Sequence, residues 1–147
     1  RPQPGAASLR GVPGLTLDGR LIVAVEDEPA VRSGLEVLLQ GWGAQLASFD
    51  SVAECAAWAA AADPASLRPD LCIVDYRLES GRNGVEAIAA LRQRFGAALP
   101  AIVVTGSTMS TLDKEAQDKD FHLLLKPVVP NKLRAMIAFK LGARMPR

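Results

Sequence analysis

Five short apolar runs recur along the chain. Each is followed by a segment suited to a helix, most with apolar residues every three or four positions. The first run, Leu21 to Val25, has the length of a strand. Pro29 suits the first turn of a helix, because its missing N–H is not needed there. Val31, Leu35, Leu38 and Leu39 then fall at helical spacing, and Gly41 can close that helix. Ala44 to Phe49 predicts a second strand. Ser51 and Glu54 have capping-box spacing for a second helix reaching about Ala62. Leu71 to Val74 is the third run. Asn83 and Glu86 repeat the capping spacing, and Val85, Ile88, Leu91 and Phe95 line one helical face after it. Pro100 precedes the fourth run, Ala101 to Val104. Ser107 to Asp120 is polar and predicts a short, weak helix. Leu123 to Leu125 is the fifth run. Pro130 opens a last helix, with Leu133, Met136, Ile137 and Leu141 facing inward.

This alternation predicts an α/β domain. Uniformly apolar strands are expected where both faces of a sheet are covered. Consecutive parallel strands are joined by right-handed helical crossovers. The fold class is therefore a doubly wound five-stranded parallel sheet with helices on both faces. By analogy with sheets of that class, the expected strand order is the flavodoxin-like 2-1-3-4-5. Residues Arg1 to Gly19 contain three prolines and four glycines without periodicity. Residues 1–20 are read as a linker or tail, residues 21–142 as the domain, and residues 143–147 as a C-terminal tail.

Composition narrows the function. A length of 147 residues suits one domain, and 49% apolar with 22% charged residues argues against disorder. A net charge of +1 offers no strong field for nucleic acid or an anionic membrane. No apolar run reaches the ~18–20 residues of a membrane span, and no signal peptide is visible. The first methionine is Met109, so the chain is expected to be a piece of a longer polypeptide or a processed form. A cytoplasmic location is expected. Cys55 and Cys72 fit neither a zinc motif nor a disulfide framework and are read as two buried thiols. His122 is the single histidine and is read as a surface or partly packed residue. Lys132, Arg134, Lys140 and Arg144 are read as a solvated face of the last helix, and Trp42 and Trp58 as packing residues.

Chemistry concentrates at the strand ends, where ligands bind in open α/β sheets. The first strand ends in Glu26-Asp27-Glu28, the third in Asp75, the fourth in Thr105-Gly106 and the fifth in Lys126-Pro127. Crowded carboxylates repel unless a cation joins them. Mg²⁺ suits a site of few carboxylates plus water. Asp75 could then stay ionised and attack phosphorus, as carboxylates do when aspartyl phosphates form. Lys126 and the metal would neutralise the phosphoryl oxygens, Thr105 could donate to them, and Gly106 leaves room for the donor.

Glu26-Asp27, Asp75, Thr105 and Lys126-Pro127, in that order and at those strand ends, resemble the receiver domain of two-component response regulators over about residues 21–142. Asp75-Tyr76-Arg77-Leu78, with Asn83-Gly84-Val85-Glu86, is similar to receivers at the C-terminal end of hybrid sensor histidine kinases. The resemblance implies that Asp75 takes a phosphoryl group from a histidine kinase or histidine phosphotransfer domain. It implies that Asp27, Asp75 and the backbone carbonyl of Arg77 bind Mg²⁺, with Glu26 acting through water. It implies that Thr105 and Lys126 contact the phosphoryl group and that Lys126-Pro127 is cis. Such a domain is a self-phosphorylating acceptor, not a stand-alone enzyme, and Arg77 and Ser107 flank its site. No DNA-binding segment follows residue 142, so output is expected through protein contacts, such as a downstream regulator, without nucleic acid or membrane contact. One position departs: many receivers carry an aromatic residue three places before the lysine, and here it is Leu123. Phosphorylation does not need that ring, but the usual coupled movement of threonine and ring is in question. Two alternatives stay open: a receiver-like binding module that is not phosphorylated, and a flavin-binding protein.

Overall fold

The computed structural model describes residues 17–78, 83–106 and 110–144. Ten elements alternate in chain order: β1 (Leu21–Val25), α1 (Pro29–Gly41), β2 (Gln45–Phe49), α2 (Val52–Ala61), β3 (Leu71–Asp75), α3 (Gly84–Phe95), β4 (Ala101–Thr105), α4 (Ser110–Lys119), β5 (His122–Leu125) and α5 (Pro130–Arg144). The strands form one parallel sheet in the order β2-β1-β3-β4-β5, as predicted.

Successive side chains of a strand point to opposite faces, and this divides the core in two. On one face Val23, Cys72, Val74 and Val103 pack with α2 and α3. On the other, Ile22, Ile73, Ile102 and Leu124 pack with α1 and α5. Trp58 joins the first core between the rings of Phe49 and Phe95, whose centroids lie 5.5 and 5.8 Å from it. Cys55 and Cys72 are free and buried, as the sequence suggested. Local signals account for several boundaries. The Ser51 side chain accepts the Glu54 N–H, and Asn83 with Glu86 forms a complete capping box.

Four expectations change. Burial on both faces holds for β1, β3 and β4, whereas β2 and β5 are edge strands with partly exposed residues. An edge strand has a neighbour on one side only, so less of it is covered. Gly41 stays within α1. The glycine with left-handed backbone is Gly43, at φ 100°, just past Trp42. Leu17 lies in the segment read as a tail, yet it is fully buried in the α1/α5 core, and its N–H donates to the Trp42 carbonyl at 3.0 Å. Burial of its apolar side chain holds the leucine there. Finally, α4 is shorter than the polar segment that predicts it; Ser107, at the start of that segment, lies outside the described residues.

Candidate functional site

The carboxyl edge of the sheet carries the residues with chemical potential. Glu26 follows β1, and its backbone N–H extends the ladder to Phe49 of β2 at 3.0 Å. Its side chain turns inward and is 2% exposed. Two contacts hold it. The Glu28 N–H donates to Glu26 Oε2 at 3.1 Å, and Arg32 Nη1 donates to the Glu26 carbonyl at 2.9 Å. Asp75 is the last residue of β3 and Thr105 the last of β4, and both are buried. The Tyr76 N–H donates to Val104 O, and the Lys126 N–H to Thr105 O, both at 2.8 Å. These bonds carry the sheet's register one step beyond the strands.

The side chains meet. Glu26, Asp27 and Asp75 each present a carboxylate oxygen, and these atoms all lie within 4.8 Å of one another. Lys126 Nζ donates to Asp75 Oδ2 at 3.1 Å and stands 3.9 Å from Glu26 Oε1. Burial pushes the Glu26 carboxyl up to about 7, with Asp75 adding to the rise, against the Glu28 N–H and Lys126. For Lys126, burial acts downward, but the hydrogen bond and charge of Asp75, then Glu26 and Glu28, outweigh it and raise its pKa. Three clustered carboxylates, two of them within 4 Å of the Lys126 ammonium, make a pocket of hard oxygen donors. This donor set fits a hard divalent cation such as Mg²⁺.

The other predicted residues take these places. Arg77 follows Asp75 by two residues and forms an isolated antiparallel bridge with Asn83, which draws the ends of the loop together. The Lys126-Pro127 peptide is cis. Leu123 is partly buried against the core. The basic residues of α5 do not share one solvated face. Arg134 lies over the Trp42 ring, 5.6 Å from its centroid; Lys140 touches His122; Lys132 is exposed. The side chain of Arg144 lies outside the described residues.

Gly84 has a structural role that the sequence motif alone did not reveal. A Cβ there would strike the Asp75 carbonyl and come within 2.6 Å of Val74 Cγ2, and its N–H donates to Tyr76 O at 2.9 Å. Only a residue without a side chain lets α3 start so close to the end of β3. Its signal is a glycine placed directly after the capping Asn83. Arg92 was also missed. Its guanidinium donates to the carbonyls of Leu99, Lys119 and Asp120, tying α3 to the segments before β4 and β5. Nothing local in the sequence points to so distant a set of partners.

Among the described residues no helix is long and apolar enough to cross a membrane. The family model described as response regulator receiver domain matches residues 22–138. The phyllosphere-induced regulator PhyR of Methylorubrum extorquens is 31% identical over 117 residues, covering 80% of this chain and 42% of that protein. The chain thus spans less than half the length of that relative. Among solved structures, the signal receiver domain of a modulated diguanylate cyclase from Desulfovibrio desulfuricans is 27% identical, with a TM-score of 0.69. That match covers 84% of this chain and 94% of the other. The receiver domain of the sensor histidine kinase PA1611 from Pseudomonas aeruginosa, solved with a magnesium ion in its active-site cleft, is 21% identical, with a TM-score of 0.70. It covers 84% and 98% of the two chains and shares the fold.

Proposed function

The chain belongs to the response regulator receiver domain family, and from that premise we propose that it accepts a phosphoryl group on Asp75 from a phosphohistidine, with Mg²⁺ beside it, and switches protein–protein contacts. The observation that carries this reading is the convergence of Glu26, Asp27 and Asp75 within 4.8 Å, with Lys126 Nζ 3.1 Å from Asp75. The receiver domain is assigned to residues 21–142. The donor is a histidine kinase or histidine phosphotransfer domain, either separate or on the same parent chain as in a hybrid kinase. Output passes to a downstream regulator by protein contact, without nucleic acid or membrane, in the cytoplasm.

Asp27, Asp75 and the Arg77 carbonyl would hold the metal, with Glu26 acting through a water. The Mg²⁺ in the cleft of the PA1611 receiver supports this assignment. When bound, the ion would offset the negative charge of the transferring group and keep Asp75 ionised. A carboxylate oxygen of Asp75 attacks phosphorus, the P–N bond to the donor imidazole breaks, and that nitrogen keeps the electron pair. Lys126 neutralises a phosphoryl oxygen and Thr105 donates a hydrogen bond to another. Burial of Asp75 and Thr105 keeps bulk water from competing for those contacts.

The test is incubation with Mg²⁺ and a small acyl phosphate, followed by intact mass. The expected result is a gain of one phosphoryl group, absent in Asp75→Asn. No gain, or an equal gain in that variant, refutes the proposal. Leu123 supports a second reading, a binding module that keeps the fold without phosphorylation. That reading requires partner binding to be the same with Asp75→Asn.

A further inference from the structure

At the opposite edge of the sheet, His122 and Lys140 bring two nitrogen bases from different elements into contact. Lys140 Nζ, on α5, stands 3.0 Å from Nδ1 of His122, the first residue of β5. A lysine ammonium has no lone pair, so in this contact the imidazole accepts: Nδ1 is unprotonated and the ring proton sits on Nε2. The ring of Phe139, next to Lys140 in sequence, meets the His122 ring edge-on, with centroids 5.6 Å apart and planes at 66°. None of these three residues takes part in the proposed phosphoryl chemistry.

We propose that His122, Lys140 and Phe139 form a proton-operated latch between β5 and α5, closed while His122 is neutral and opened when Nδ1 takes up a proton. The proton comes from solvent and occupies the lone pair that Lys140 engages. The hydrogen bond is lost, and two cations are left at contact distance, where like charges repel. The C-terminal part of α5, with Phe139, is then released from the edge strand. Phe139 is 63% exposed and lines an open groove of about 810 Å³ with Leu123, Leu125, Val129 and Met136. Proton uptake therefore reshapes an apolar groove whose other end reaches Thr105 and Lys126.

The surrounding charges favour the closed form near neutrality. Burial first, and then Lys140, hold His122 below its ordinary value of 6.5, while Asp120 in the turn before β5 pulls upward. Burial and Arg92 of α3 hold Lys140 below 10.5, against Asp120 and the Cys72 thiol of β3. Asp113 of α4, Lys126 just after β5 and Lys132 of α5 line the same groove. The sign follows. A histidine whose native pKa is depressed contributes stability present above pH 6.5, and that contribution is lost as pH falls through the native value.

Because His122 is the only histidine, its ring Cε1 proton gives one unambiguous NMR titration. The expected midpoint lies below 6.5 and moves upward in Lys140→Met. Deuterium uptake by the amides of the second half of α5, corrected for intrinsic exchange, should rise on going from neutral to acidic pH. The limit is about tenfold for each pKa unit by which His122 is depressed. In His122→Gln, which offers Lys140 an acceptor that cannot titrate, that step should vanish. A midpoint at or above 6.5 that ignores Lys140→Met, or an equal exchange step in His122→Gln, overturns the latch. The titration of the unaltered protein needs no variant to fold. Repeating the measurements in Asp75→Asn should change nothing, so failure of the phosphoacceptor reading and failure of the latch are separable.

Discussion

Glu26 is nearly inaccessible to solvent, yet it lies within 4.8 Å of two other carboxylates, and that conflict governs its titration. With its carboxyl raised from 4.5 to about 7, the native state binds a proton that the unfolded chain has released. In a chelator, stability from this group is full below pH 4.5, declines as pH rises, and is gone above about 7. Glu26→Gln stays neutral throughout. It should raise the melting temperature above pH 7 in chelator and make no difference near pH 4, as thermal unfolding across pH would show. A proton on Glu26 also competes with a cation, so Mg²⁺ affinity in the unaltered protein should fall as pH drops below about 7. Equal melting temperatures above pH 7 would mean that the buried carboxylate costs nothing. The two thiols offer a second prediction at this scale. Burial pushes Cys55 and Cys72 up to about 12, so the reactive thiolate is scarce at neutral pH. Neither should react with a thiol-specific disulfide reagent in the native state, and both should react once denatured.

At the scale of elements, the approach of α3 to β3 depends on one missing side chain. Gly84→Ala would drive a methyl group into the Asp75 carbonyl and Val74. Overpacking of this kind costs about 1–3 kcal/mol. Because the displaced backbone is that of Asp75, the change should also weaken the stabilisation produced by Mg²⁺. Denaturant unfolding with and without Mg²⁺ measures both effects; unchanged stability would show that α3 can simply slide. This junction also shows what could be read from the sequence. The Asn83–Glu86 cap and the apolar face of α3 are local signals, and they position the helix correctly. The strand ends are not local. Asp75 and Thr105 enter β3 and β4 because they pair with Val104 and Leu125 of neighbouring strands. The residues of the candidate site were legible as candidates, because polar residues interrupt apolar runs at each strand end. Their pairing, above all Lys126 with Asp75, depends on side chains brought together across 51 positions of sequence. The same holds for Leu17 and for the carbonyls that Arg92 collects.

For the whole molecule, the sheet is a platform whose central strands are buried on both faces and whose carboxyl edge carries Glu26, Asp75 and Lys126. That edge adds repulsion to the native state, since the carboxylates of Glu26, Asp27 and Asp75 cluster within 4.8 Å, with Lys126 Nζ 3.1 Å from Asp75 and 3.9 Å from Glu26. A divalent cation that binds the folded site and not the unfolded chain removes the repulsion and stabilises by mass action. At a concentration 100 times its dissociation constant the gain is about 2.7 kcal/mol, enough to shift a melting curve measurably. Mg²⁺ should therefore raise the melting temperature in a saturable way. Asp27→Ala should abolish that rise while leaving the chelator-treated protein folded, because Asp27 is partly exposed and outside both apolar cores. If Asp27→Ala responds to Mg²⁺ as fully as the unaltered chain, the cation binds elsewhere, and the charge clustered at this edge needs another partner.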